Sequence, residues 1–445
     1  MAGEKYNELI ISFTDNEEEG VTPEADITAV NIVEESMKLT QSINDENYLK
    51  FGGCIAAQFS IDLLNTDDRK FTDSLVGRWI SVKLIERTNS GNPLFPSNSL
   101  TPGAMLYPGD SFSTTEHYLF SGRIDSATLD KNDLNVRNIV AYDAMAILYA
   151  TDATNYVYQK LVDTTVYWTI STALNACLSS NGAITIPQYS GDNWYQDILE
   201  DTFDYDGSGQ VGNREYVKMF LIRNNDWKDS NAQIAYGTLL RYLCESVAAF
   251  GVIVPDSGKG SFKMVTLAGA PTVYQYYENL QAEEYISTGY TDFVFSIYGS
   301  GKDGKNAHAV GGLSHYVDDS IPKAYDFVEN ITIWEQFAQS GGSRTSTMFD
   351  RLINTSDIGY RVAMNPENGD CAFDSYRPLK ATLEGTPEQI IGKPITIIAN
   401  KTNPDGSYVE EGGQFVKEYI NTYVFKRTLT GIQALTDEIE VKGQR

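Results

Sequence analysis

Basic residues are scarce in this chain: Lys and Arg number 34 against 60 Asp and Glu, giving a formal charge of -26. Affinity for phosphate needs clustered cations, so sequence-specific nucleic-acid binding and adhesion to anionic membranes are both disfavoured. A negative surface suits a conduit that DNA slides through without sticking, and it suits any soluble protein equally well. Cysteine is rare as well. Cys54, Cys177, Cys244 and Cys371 show no CxxC spacing, which argues against a zinc ribbon or a disulfide scaffold and for buried free thiols. Three histidines, His117, His308 and His315, leave metal or nucleophilic catalysis poorly supplied, and neither HExxH nor GxSxG occurs. No apolar run reaches the length of a membrane span, and the N-terminus lacks a basic start followed by an apolar stretch. A stable membrane anchor is therefore not expected, and synthesis in the cytoplasm is.

What the chain does have is strand-forming material. Over 445 residues, 42 % are hydrophobic and 21 % charged, a composition of folded protein long enough for several cores. Its 28 Tyr and 19 Phe, with many Thr, Val and Ile, favour strands over helices. Residues 1–150 read as a β domain. In CIAAQFSIDLL, Ile55, Ala57, Phe59, Ile61 and Leu63 fall on one face and Gln58, Ser60 and Asp62 on the other, the alternation of a half-buried strand. Residues 88–116, rich in Asn, Pro, Ser and Gly, read as a long loop suited to partner contact.

Residues 151–270 turn to helical periods, in TTVYWTISTALNACL and in AQIAYGTLLRYLCESVAAFG, the latter with Gly251 as its expected C-cap. A hairpin, GVIVPDSGKGSFKMVTL, follows. Residues 271–370 read as a β-rich connecting region with a short helix near 346–354. Residues 371–445 read as closing strands, with an Asp405-Gly406 turn between two of them. No fixed-period repeat is visible, which argues against a solenoid.

The sharpest local motif is DYDGSGQVGNRE, residues 204–215, within a segment of about 192–222. It fits the twelve-residue calcium loop of an EF-hand. Asp204, Asp206 and Ser208 stand at positions one, three and five, Gly209 permits the bend at six, Gln210 offers its carbonyl at seven, and Glu215 closes the sphere at twelve. A hard cation wants several oxygens on a tight arc, which is why these residue types recur at this spacing. Tyr195, Leu199 and Phe203 could face one flanking helix and Tyr216, Met219 and Phe220 the other. The alternative is an Asp/Gly turn that binds nothing. A structural Ca2+ is the one cofactor expected.

A second match, GSGKDGKN at residues 299–306, satisfies GxGxxG, but a phosphate cradle needs a helix N-terminus immediately after it. The text continues AHAVGGLSHYV, so this reads as a polar hairpin loop. No carboxylate pair stands out for glycoside hydrolysis. Catalytic residues are not assigned, and the chain is not expected to be an enzyme.

Three segments carry a family resemblance. Residues 32–64, IVEESMKLTQSINDENYLKFGGCIAAQFSIDLL, and residues 119–148, with Ala-Tyr-Asp-Ala at 141–144, resemble tail proteins from prophages of Firmicutes-type bacteria. So does the ending, residues 419–443, with Arg427, Thr428, Leu429, Gly431, Ile432, Gln433, Ala434, Leu435 and Asp437 in the family's order. LCESVAAFGVIVPDSGKGSFKMVTL and YRPLKATLEGTPEQIIGKPITI also look like the family, whereas the calcium-like segment does not and reads as an insertion.

The resemblance implies a mixed α+β, β-rich fold. It comprises two hub-type β-barrel domains and a helical α+β middle region. It further implies a homotrimeric tail-tip or baseplate hub at the tip of a virion tail, framing the DNA-ejection channel. Its expected partners are distal tail or tail-tube ring proteins and tip, spike or fibre proteins. A tail-associated cell-wall hydrolase and a calcium-dependent adhesin are the alternatives.

Overall fold

The computed structural model describes residues 5–43, 52–89, 112–162, 170–190, 234–246, 249–265, 272–275, 282–284, 292–300, 307–316, 326–330, 379–401, 403 and 407–441. The first six strands are β1 (Lys5–Phe13), β2 (Lys38–Ser42), β3 (Gln58–Leu64), β4 (Trp79–Asn89), β5 (Phe112–Leu129) and β6 (Val136–Tyr142). Alternation drives them. In β3, Phe59, Ile61 and Leu63 are fully buried while Gln58, Ser60 and Asp62 are half-buried, as the sequence pattern requires. Ile55 lies ahead of the strand and is half-buried. β4 and β5 form a long antiparallel pair whose register starts at Trp79 opposite Arg123, so strand occupies both ends of the expected 88–116 loop. Residues 90–111 lie outside the described residues.

Among the described residues four α-helices follow: α1 (Ala144–Ala150), α2 (Thr154–Val162), α3 (Ile170–Ser179) and α4 (Tyr236–Ser246). α4 buries Leu239, Leu240 and Leu243 on one face and packs on α1 and α3. The expected C-cap at Gly251 is corrected. α4 ends at Ser246, and Gly251 sits inside β7 (Phe250–Val254). The glycine is needed there for close packing: a Cβ would come within 2.5 Å of the Cys54 Sγ and 2.8 Å of the Phe262 ring.

β7 pairs with β8 (Ser261–Val265), the expected hairpin. Next come β9 (Thr272–Gln275), β10 (Ala282–Glu284), β11 (Asp292–Ser300), β12 (Ala307–Tyr316) and β13 (Asp326–Asn330). β11 and β12 are antiparallel, so GSGKDGKN joins two strands of a hairpin and no helix follows it. The expected helix near 346–354 lies outside the described residues.

The closing strands are β14 (Leu379–Glu384), β15 (Pro394–Asn400), β16 (Glu410–Glu411), β17 (Gln414–Phe415), β18 (Lys417–Tyr423), β19 (Lys426–Thr430) and β20 (Thr436–Val441). The tight turn in this region is at Gly412-Gly413, both at positive φ, between β16 and β17. The expected Asp405-Gly406 turn lies outside the described residues.

The protein is β-rich with few helices. Its main sheet has ten strands in the order β1-β4-β5-β6-β3-β2-β19-β20-β14-β10, and β15 forms a second sheet with β18 and β9. Side chains of β1 and β2, far apart in that order, enter one hydrophobic core with Phe59, Phe120, Ile139 and Leu429, so the sheet curls around its interior. The two expected closed barrels are not seen among the described strands. β1 pairs only with β4, because the free edge of β2 is taken by β19.

Candidate functional site

The gap between β1 and the β19–β20 hairpin is bridged by two side chains, Gln433 and Asn7. The Gln433 amide mimics a strand partner: the Asn7 backbone N–H donates to its Oε1 at 3.1 Å, and its Nε2 donates to the Asn7 carbonyl at 2.5 Å. The Asn7 side chain returns a bond to the Ile432 carbonyl at 2.8 Å. Glu35 locks the same turn. Its carboxylate accepts the N–H groups of Ile432 and Gln433 at 3.3 and 3.2 Å, while its own backbone stands at φ 62. That left-handed conformation costs a non-glycine residue on the order of 1 kcal/mol, and the two accepted bonds offset it. Gly431, at φ 84, leaves no room for a Cβ beside the Glu35 carboxylate and the Ala434 carbonyl.

At the other side of this hairpin, Arg427 and Asp437 form an ion pair with both side chains essentially unexposed. Nε and Nη2 of Arg427 donate to the two carboxylate oxygens at 2.5 and 3.0 Å. The guanidinium also donates to the carbonyls of Glu388 and Thr386, and Asp437 accepts the Thr386 N–H at 2.9 Å. A charge pair this deep is tolerated because nearly every donor and acceptor around it is used. It fixes residues 386–388 against the hairpin.

The Ala-Tyr-Asp-Ala segment is built from the same logic. Ala141 is a buried strand residue with Phe59 opposite it, and Asp143 caps α1. The Asp143 carboxylate accepts the N–H of Met145 at 3.0 Å and that of Ala57, just ahead of β3, at 2.9 Å. Burial pushes this carboxyl up to about 7, with the two backbone donors opposing the rise. Residues 1–150 read as a β domain, yet α1 is helical from Ala144, and the signal for it in the sequence is the Asp before AMAIL, an N-cap residue.

Three cysteines, Cys54, Cys177 and Cys244, are buried free thiols, with the sulfurs of Cys54 and Cys244 3.6 Å apart. Burial pushes the Cys177 and Cys244 thiols up, away from the reactive thiolate. His117 lies in β5 and pairs with Leu84, and His308 and His315 stand in β12. The expected calcium ligands Asp204, Asp206, Ser208, Gln210 and Glu215 lie outside the described residues. Among the described residues no group of three or more His, Cys, Asp or Glu is placed to hold a metal. No helix among them is long and apolar enough to cross a membrane.

Two sets of exposed apolar side chains stand out among the described residues. Leu64, Leu129 and Leu134 lie where β3 and β5 end and the β5–β6 turn begins, with Val30 in the turn between β1 and β2 whose Asn31 bonds the Leu64 carbonyl. Tyr408, Phe415 and Tyr419 lie on and beside the β16–β17 hairpin, the first two rings 5.3 Å apart edge to face. Neither set belongs to the cores below them, which makes both candidate contact surfaces.

No protein-family model matches the chain, and no curated protein matches it. Among solved structures, it is similar to prophage tail protein gp18 from Listeria monocytogenes EGD-e. The identity is 10 %, with 98 % of this chain and 95 % of that one covered, at a TM-score of 0.43. The 43 kDa tail protein of prophage MuSo2 from Shewanella oneidensis matches at 10 % identity, covering 98 % of each chain, at a TM-score of 0.39. The E. coli c3393 protein, described as a type VI secretion component with structural similarity to T4 tail proteins gp27 and gp5, matches at 8 % identity. There the coverage is 98 % of this chain and 78 % of that one, at a TM-score of 0.37.

Proposed function

We propose that this chain is a structural component of a phage-type tail, the hub at the tail tip. In this reading three copies form a ring that joins the tail tube or distal tail ring to the tip, spike or fibre proteins and frames the channel through which DNA leaves. The observation that carries the reading is where the three family-like segments meet. Residues 119–148, 32–64 and 419–443 supply β5-β6, β3-β2 and β19-β20, which are six consecutive strands of one sheet. Four of the residues in the family's order have a physical task at the junction. Arg427 pairs with Asp437, Gly431 makes room for Glu35, and Gln433 spans the gap to Asn7.

Mechanically, such a sheet ties both ends of the chain into one unit, as a ring subunit under load requires. Two exposed apolar sets offer contact surface, and the surplus of negative charge keeps a passing nucleic acid from binding. The work is assembly and not catalysis.

The test is to co-produce the chain with tail-tube and distal-tail proteins of the same particle, weigh the complex by mass photometry and image assembled particles. The expected result is three copies at the tube end. Particles whose tube ends lack this chain, or a zymogram in which the purified chain clears cell walls, would overturn the reading.

A further inference from the structure

One small cavity lies where the amino-terminal strands, the helical region and the carboxy-terminal strands meet. It is lined by Gln41 of β2, Ile55 and Asp143, Val252 of β7, and Gln389 and Ile391 from the segment between β14 and β15, with about 10 Å³ open to the centre of a water molecule. Two of the lining residues each carry a buried polar atom with no protein partner. They are complementary: Oε1 of Gln41 is an acceptor and Nε2 of Gln389 a donor, and Gln41 is 5 % exposed. A further polar group in the lining, the Asp143 carboxyl, accepts one backbone N–H on each oxygen and keeps a lone pair for another donor whether or not it carries its proton.

We propose that one ordered water occupies this cavity, donating to Gln41 Oε1 and to the Asp143 carboxylate and accepting from Gln389 Nε2. The space admits one water, and three partners is the usual number for a buried one. The donor and acceptor balance also fits. A water has two hydrogens for the two acceptors and a lone pair for the amide donor, whereas a cation could not accept from Nε2. Both amide atoms are shielded from bulk solvent, so leaving them dry forfeits a hydrogen bond at each. The bound water makes the joint between three distant stretches of chain a polar one, held by bridging bonds as well as apolar contact. The site does not depend on the tail reading and stands or falls separately.

A crystal structure of the full chain at about 1.5 Å or better tests it, with a second crystal soaked in rubidium chloride. The expected result is one peak within about 2.7–3.2 Å of all three groups, with no anomalous signal from rubidium. Gln41→Leu and Gln389→Leu should each abolish the peak while leaving the surrounding strands in place. Absence of the peak in the wild type, an anomalous rubidium signal in the cavity, or the two glutamine amides turned onto protein partners would overturn it.

Discussion

Replacing Arg427 by Met probes the seam where it is most deeply buried. Arg427 and Asp437 are 1 % and 0 % exposed, and the guanidinium makes four hydrogen bonds, two to the carboxylate and two to the carbonyls of Thr386 and Glu388. Met fills most of the volume but supplies none of the donors. Asp437 then keeps a single donor, the Thr386 N–H, for a charge fully out of water. Breaking a buried pair by removing one partner costs about 3–5 kcal/mol, roughly a thousandfold in the folded-to-unfolded ratio at the middle of that range. Arg427→Met with Asp437→Leu removes both charges together and should recover part of that loss, giving a coupling energy of about 2–3 kcal/mol in the double-mutant cycle. Urea unfolding followed by circular dichroism measures the loss. Hydrogen exchange across residues 379–391 and 426–441 locates it, and both stretches should exchange faster in the single variant. A single variant destabilised by less than about 1 kcal/mol, with exchange unchanged, would refute the reasoning.

Further perturbations have definite expected outcomes. Gln433→Ala removes both amide bonds to the Asn7 backbone and should destabilise by about 1–3 kcal/mol, read as faster exchange of the Asn7 amide. Asp143 has a folded pKa of about 7, well above the roughly 3.9 of an unfolded aspartate, so between these values the native state holds a proton that the unfolded state has lost. Its contribution is fully present below about pH 4 and is lost as pH rises through 7, by up to about 4 kcal/mol. Stability of the wild type relative to Asp143→Asn should therefore fall from pH 4.5 to 7.5 in urea titrations. A calcium-bound 204–215 loop should raise the melting temperature when Ca2+ is added, and Glu215→Gln should abolish that rise. A wild type that shows no calcium-linked shift makes the loop a turn.

What the sequence revealed and what it concealed divide along the range of the interactions. The face assignment of β3 was legible because a half-buried strand writes its burial every second residue, and Phe59, Ile61 and Leu63 follow the rule. The β7–β8 hairpin was legible from its turn. Glycine after a helical run signals a cap, whereas at Gly251 the Phe262 ring and the sulfur of Cys54, nearly two hundred residues away in sequence, exclude a side chain. The partners of the seam were hidden for the same reason. Asn7 with Gln433 and Glu35 with Gly431 sit at opposite ends of the chain, and no local period joins them. The order of residues 427–437 marked the segment by resemblance, but the contacts that give each residue its task are tertiary.

The placement of β19 beside β2 also governs how the chain can be made. Between Ser42 and Lys426 the ribosome must add nearly four hundred residues, which takes roughly 20–80 s at ordinary elongation rates. From Tyr142, where β6 ends, until β19 is made, β2 offers an unsatisfied row of amides and carbonyls along an otherwise complete six-strand array, an open template for any stray extended peptide. Nascent copies growing close together on one message would be the nearest such peptides. A chain cut short before β19 should therefore clump rather than accumulate as a half-sized soluble product.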